Sequence, residues 1–75
     1  MTEPRFTVAP LSGGEAFFLR CLADATASVA LKWGGGVVAT GRVVGVENDT
    51  VVLLPPNSRY EERVSYEEFD EVEYQ

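Results

Sequence analysis

Histidine is absent from this chain, and cysteine occurs once, as Cys21. A single cysteine excludes a disulfide within the chain, and without histidine a zinc site built from cysteine and histidine ligands is excluded as well. No apolar stretch approaches the length of a membrane span, and the first residues lack the pattern of a targeting peptide. We therefore expect a soluble, cytoplasmic protein that needs no membrane, metal or cofactor.

Basic residues are also scarce, because six lysines and arginines stand against twelve acidic residues, and the net charge is −6. Acidic and basic side chains cancel over residues 1–60, so residues 61–75 carry all of the net charge. Proteins that bind nucleic acid commonly have a basic face, since neutralised phosphates supply much of the affinity. The charge distribution therefore does not favour nucleic-acid binding.

The chain has 75 residues, which is enough for one domain with a small core. A core of this size lies close to the limit at which hydrophobic burial offsets chain entropy. Since disulfides and zinc are excluded, self-association is the remaining source of stabilisation, and we predict an oligomer.

A short helix is predicted after an extended arm that covers residues 1–11. Ser12 and Glu15 have the Ser-x-x-Glu spacing of a capping box, which marks a helix start. Phe18, Leu22 and Ala25 fall on one face at helical spacing, with Cys21 beside them, and the predicted helix ends near Ala25.

Strands are predicted for the rest of the chain. Val29, Leu31 and Trp33 alternate with smaller or polar residues, the period of a strand with one buried face. The next strand is apolar on both faces and is interrupted by Gly41, which indicates a sharp bend. Glycine, Asn-Asp and Pro-Pro segments separate the five predicted strands, which cover residues 29–33, 37–46, 50–54, 60–65 and 69–74.

A capped helix followed by five short, bent strands resembles the Sm-like family, which includes the Sm and Lsm proteins and bacterial Hfq. The residues that match the first Sm motif are Val29, Leu31, Lys32, Gly36, Gly41 and Glu47, the last where the family usually has aspartate. Those that loosely match the second motif are Val64, Ser65, Tyr66, Phe69 and Val72. Two extra glycines lengthen the first hairpin relative to the family.

The resemblance implies a mainly β fold, in which residues 12–75 form a short helix and a five-stranded, strongly bent antiparallel barrel of the Sm-like, SH3 type. It also implies a ring, with six or seven subunits favoured, in which the fourth strand of one subunit pairs with the fifth strand of the next. The residues predicted at this interface are Tyr60, Val64, Phe69, Val72 and Tyr74.

RNA binding is the first alternative that the resemblance raises. In RNA-binding relatives, loops that face the pore hold a base, and the corresponding candidates here are Asn48, Asp49, Arg59 and Arg63. Val51 replaces the asparagine of those relatives, and Glu61 and Glu62 flank the arginines. RNA is therefore not the favoured partner.

A monomeric barrel that binds a peptide is the second alternative, and it requires an exposed aromatic groove, for which Trp33, Tyr60 and Tyr66 are the candidates. Phe17 lies away from the helix face of Phe18, so it is a candidate anchor for a protein partner.

Catalysis is not expected. Cys21 has no histidine to activate it, and the carboxylates show no sign of the burial that tunes an acid or a base. The leading hypothesis is therefore a non-catalytic, oligomeric Sm-like module that acts as a protein-assembly scaffold.

Overall fold

The computed structural model describes residues 5–6, 14–24 and 26–74 as one helix packed against an antiparallel sheet. The elements in chain order are β1 (Arg5–Phe6), α1 (Gly14–Ala23), β2 (Ser28–Trp33), β3 (Gly36–Glu47), β4 (Thr50–Leu54), β5 (Glu62–Ser65), a 3₁₀ helix (Tyr66–Glu68) and β6 (Glu71–Tyr74). The prediction of a helix followed by five antiparallel strands is confirmed. Within the described residues, no helix has the length and apolar character needed to cross a membrane.

The strand order of the sheet is β1-β6-β2-β3-β4-β5. The last strand, β6, pairs with β2, and Leu31 lies opposite Val72. At the other end, β4 pairs with β5, with Val51 opposite Val64. The outer strands are therefore β5 on one side and the short β1 on the other.

The predicted strand bounds hold best for β4, which spans Thr50–Leu54 as the sequence indicates. The next two strands are shorter than predicted. β5 begins at Glu62 rather than at Tyr60, because the hydroxyl of Ser58 binds both the amide of Tyr60 (3.1 Å) and its carbonyl (3.2 Å). β6 begins at Glu71, since the 3₁₀ helix occupies part of the connection.

The N-terminal predictions fall largely outside the described residues, including the capping box at Ser12 and most of the arm. Where the arm is described, Arg5–Phe6 forms β1, a strand that the sequence pattern does not indicate. The helix itself buries Phe18 and Cys21, as the helical spacing predicts.

The helix ends at Ala23 instead of near Ala25 because Asp24 begins a turn. Its carboxylate accepts hydrogen bonds from the amide of Thr26 (3.1 Å) and from the hydroxyl of the same residue (2.8 Å). Such side-chain bonds to nearby backbone compete with helix continuation. The two bonds from Thr26 also lower the pKa of Asp24.

The first hairpin closes through a two-residue turn. Gly34 and Gly35 have φ values of 59° and 88°, and positive φ at both central positions is what a type I′ turn requires. The turn is therefore tight, and Gly36 already pairs with Trp33. The strand period places Trp33 on the buried face, and this prediction is wrong. The side chain of Trp33 is 58% exposed, since Gly36 on the opposite strand has no side chain to cover it.

Gly41 lies on β3 beside the end of β4. It pairs with Val29 of β2, and the next residue, Arg42, pairs with both Ser28 and Leu54. A Cβ placed on Gly41 would lie 2.7 Å from the carbonyl oxygen of Leu54. The bend predicted from the glycine is therefore a close approach of two backbones.

One core joins the helix to the sheet. The ring centroid of Phe18 lies 5.8 Å from that of Tyr66 and 6.1 Å from that of Phe69. The buried cluster draws residues from α1 and from each strand between β2 and β6, among them Val29, Leu31, Val43, Val51, Leu53, Val64 and Val72.

Candidate functional site

The four residues predicted to contact RNA do not come together. Asn48 and Asp49 form the turn between β3 and β4, and Arg63 lies on β5. Arg59 belongs to the loop that joins β4 to β5, at the opposite end of β4 from the turn. A single pocket made of all four side chains is therefore not formed.

Glu47 holds the guanidinium group of Arg63. Nε of Arg63 lies 3.3 Å from Oε1 of Glu47, Nη2 lies 3.4 Å from Oε2, and Oε1 of Glu61 lies 3.8 Å from the same Nη2. The hydrogen bonds and the negative charge of Glu47 raise the pKa of Arg63. Because two carboxylates already surround this cation, the position is poorly suited to a phosphate group.

A second set of contacts ties the turn after β3 to the 3₁₀ helix. The amide of Tyr66 donates to the carbonyl oxygen of Asp49 at 2.7 Å. The hydroxyl of Ser65 accepts from the amide of Glu67, and the carboxylate of Glu68 accepts from the amide of Ser65 at 3.3 Å. This is a capping box, and its Ser-x-x-Glu spacing was visible in the sequence.

The outer edge of β5 is open in the part of the chain that the structure describes, where β4 is its one strand neighbour. Backbone groups of an antiparallel strand alternate between its two sides. The amide of Ser65 binds Glu68 and so faces away from β4. By alternation, the amide of Val64 faces β4, whereas the amide and carbonyl of Arg63 face outward. Such an edge is a template for another strand.

The outer edge of β6 is partly covered by β1. Phe6 pairs with Val72 and Arg5 pairs with Glu73, so two of the four residues of β6 have a partner on that side. A strand of two residues is too short to produce a recognisable sequence period. This explains why the sequence indicated an arm and not a strand.

Three of the five side chains predicted at a subunit interface are in the core of the subunit, namely Val64, Phe69 and Val72. Tyr74 is half-buried, and Tyr60 is 80% exposed. Of the five side chains predicted at the interface, only the two tyrosines are therefore accessible at the surface of the subunit.

Phe17 is half-buried, which does not fit the prediction of an exposed anchor. Its ring centroid lies 5.2 Å from that of Phe18 and 5.3 Å from that of Tyr74. A helical wheel cannot show this contact because Tyr74 belongs to β6. Leu19, which is 51% exposed, is the large apolar residue that α1 presents to solvent.

The aromatic groove required for the peptide-binding alternative is not assembled. Tyr66 is 1% exposed and packs in the core, whereas Trp33 lies at the tip of the first hairpin and Tyr60 lies in the loop before β5. These three rings do not share a surface.

Cys21 has the environment of a structural thiol. It is buried, with its Sγ 4.0 Å from the hydroxyl oxygen of Tyr74, and burial raises its pKa. A protonated thiol is a weak nucleophile. Across residues 5–6, 14–24 and 26–74, no three histidine, cysteine or acidic side chains are grouped so as to hold a metal ion.

The stability of the protein is expected to fall as the pH rises above about 9. Burial raises the pKa of Cys21, Tyr66 and Tyr74 above the ordinary values of 9.0 and 10.0. The folded state then keeps protons that the unfolded state releases, so stability is full below the unfolded values and is lost as the pH passes through the folded ones. Urea midpoints at pH 8, 9.5 and 10.5 measure the decline.

Tyr66→Phe is the matched variant for this test. The hydroxyl oxygen of Tyr66 is buried without a hydrogen-bond partner among the described residues, so its removal should leave stability at pH 8 equal or higher by about 1 kcal/mol. The variant should also lose less stability between pH 9.5 and 10.5. A parent midpoint that does not change over this range contradicts the prediction.

Comparisons with family models, with curated proteins and with solved structures give no match to this chain. The function is therefore inferred from the residues and their geometry.

Proposed function

We propose that this protein is a non-catalytic Sm-like assembly module, in which the sheet curls into a barrel and copies of the chain associate edge to edge into a ring of six or seven subunits. The strand order is the observation that carries this proposal. β5 and β6 follow one another in the chain but lie at opposite ends of the five-stranded part of the sheet. One buried cluster receives side chains from all five of these strands, which fits a strongly curved sheet.

Two different edges meet when β5 of one copy pairs with β6 of the next. Such a contact is head to tail, and it closes into a ring when the rotation between subunits divides a full turn. β5 contributes the outward amide and carbonyl of Arg63. β1 competes for β6, but it forms only two residue pairs, whereas β5 is four residues long.

Association in this mode requires no basic surface. Residues 61–75 carry the whole net charge of −6, and Arg63 is already paired with Glu47. Backbone hydrogen bonds between strands do not depend on that charge. An assembly of identical subunits also adds buried surface to a domain whose own core is small.

Arg63→Pro is expected to convert the oligomer to a folded monomer. Proline is tolerated in an edge strand where the amide faces solvent, and it removes the donor that a neighbouring strand would use. Light scattering at micromolar concentration should give several subunits per particle for the parent and one for the variant. Proline at Val64 is unsuitable, since that amide faces β4 and its loss would damage the subunit itself.

Arg63→Ala is the control. It removes the ion pair with Glu47 but keeps the amide, so its particle mass should equal that of the parent. A monomeric parent at micromolar concentration would refute the proposal. If the parent is oligomeric and Arg63→Pro keeps the parental mass, the contact does not involve the β5 edge.

A further inference from the structure

A cleft of about 660 Å³ opens on the face of the sheet that points away from the core. Along β3, the buried residues Ala39 and Val43 alternate with Thr40 and Arg42, which places the latter pair on the outer face. The loop that follows β4 forms the opposite wall. The volume is within the range of sites that hold small molecules, about 300–1,000 Å³.

Strand register places a cation in the middle of this cleft. Arg42 pairs with Ser28 on one side and with Leu54 on the other. Thr40 lies two residues along the same strand and on the same face. Arg42 therefore has Ser28 on the neighbouring strand at one flank, Thr40 beside it on its own strand, and an apolar wall, Leu54 with Pro55 and Pro56, at the other flank.

Within the described part of the chain, the polar side chains on the strands of this cleft have no protein partner. Across the described residues, Ser28, Thr40 and Arg42 make no side-chain hydrogen bond and no ion pair. By contrast, Lys32 lies 3.4 Å from a carboxylate oxygen of Glu73, and Arg63 is held by Glu47. The hydroxyl and guanidinium donors of the cleft thus remain available to a ligand.

The charge of the cleft is opposite to that of the chain. Acidic residues outnumber basic ones by twelve to six, yet among the residues that the structure describes no acidic side chain lines the cleft and Arg42 is its one charged residue. A guanidinium group binds a carboxylate through two parallel hydrogen bonds, which favours planar anions.

We propose that this cleft binds a small organic carboxylate. Arg42 pairs with the carboxylate group, the hydroxyls of Ser28 and Thr40 donate to its oxygens, and the apolar body of the ligand rests on Leu54 and the two prolines. This site uses the outer face of the sheet, not its edges, so it is independent of the assembly proposed above.

The test is a titration of the isotope-labelled full chain followed by amide chemical shifts. The probes are sodium benzoate, its neutral analogue benzamide, and inorganic phosphate. Benzoate should shift the amides of Ser28, Thr40, Gly41 and Ser58 with a dissociation constant of about 1–10 mM, as suits so small a ligand. Benzamide and phosphate should bind at least about tenfold more weakly, because each lacks one half of the recognised chemistry.

Arg42→Gln should weaken benzoate binding about tenfold or more, and Thr40→Val should weaken it by a smaller factor. Arg59→Gln is the matched control, since Arg59 is exposed in the loop after β4 but does not line the cleft. The affinity of this variant for benzoate should equal that of the parent. Each variant is first compared with the parent by its melting temperature.

Three results would each overturn the proposal: no benzoate shifts at the cleft amides, equal binding of benzamide, or undiminished binding by a folded Arg42→Gln. Phosphate that binds as tightly as benzoate would reduce the site to a bare anion contact and would also contradict it.

Discussion

The variant Gly41→Val is expected to lose about 3 kcal/mol or more of unfolding free energy, or not to fold at all. The new Cβ would meet backbone atoms, 2.7 Å from the oxygen and 2.9 Å from the carbon of the Leu54 carbonyl, and 3.0 Å from the nitrogen of Pro55. Backbone atoms cannot rotate away, so the end of β4 must move. In a domain of this size the loss corresponds to a fall of roughly 12–24 °C in melting temperature, which circular dichroism measures directly.

Gly45→Ala is the control for Gly41 because both glycines lie on β3. A Cβ on Gly45 would lie 3.5 Å from the nearest atom, a side-chain carbon of Val52, which is an ordinary contact. Its melting temperature should stay within a few degrees of the parent's, since alanine also restricts the unfolded chain. If Gly41→Val melts as the parent does, then β3 does not bend at Gly41, and the match to the first Sm motif fails.

Phe18→Ala is expected to cost about 3–5 kcal/mol, close to the entire stability of a small domain. Phe18 is fully buried and contacts the rings of Phe17, Tyr66 and Phe69, so its removal leaves a cavity between the helix and the sheet. Urea unfolding followed by tryptophan fluorescence and by circular dichroism should show a lower midpoint in both signals.

Leu19→Ala is the neighbouring control on α1. Leu19 is 51% exposed, and an exposed substitution to a better helix former should change stability by no more than about 0.5 kcal/mol. Similar losses for Phe18→Ala and Leu19→Ala would mean that the buried face of α1 has been misassigned.

The strand pattern was predictable because it is local. The alternation around Val29 and Leu31 identifies β2, and the prolines after Leu54 end β4 where the sequence indicates. Gly41 indicated the bend for the same reason, since an isolated glycine in an apolar strand commonly marks a close approach. These features are read from residues that lie next to one another in the chain.

The errors arise where distant segments meet. The alternation along β2 puts Trp33 on the same face as the buried Val29 and Leu31, but Gly36 lies opposite Trp33 and has no side chain to cover it. Phe17 lies off the main apolar face of the helix, yet the ring of Tyr74 packs on it from β6. Neither the exposure of Trp33 nor the burial of Phe17 can be obtained from the spacing of apolar residues within a single helix or strand.

The candidate sites also depend on how distant segments pair, which the local sequence pattern does not predict. The resemblance to RNA-binding relatives grouped Asn48, Asp49, Arg59 and Arg63, but strand pairing places Arg59 at the far end of β4 from the turn that Asn48 and Asp49 form. The Arg42 cleft has no sequence signature, since its lining residues come from β2 and the turn before it, from β3, from the end of β4 and from the loop after β4.

By itself, the sequence determined the helix, the order of the strands along the chain, the bend at Gly41 and the charge of residues 61–75. These follow from side-chain period, glycine geometry and composition, which neighbouring residues are sufficient to set. Only the tertiary structure decided that Glu47 pairs with Arg63, that β4 is the one strand neighbour of β5 among the described residues, and that Arg42 stands between Ser28 and Leu54. The reason is that pairing across a sheet joins residues far apart in the chain, and that pairing decides which charges, backbone groups and cavities remain available for function.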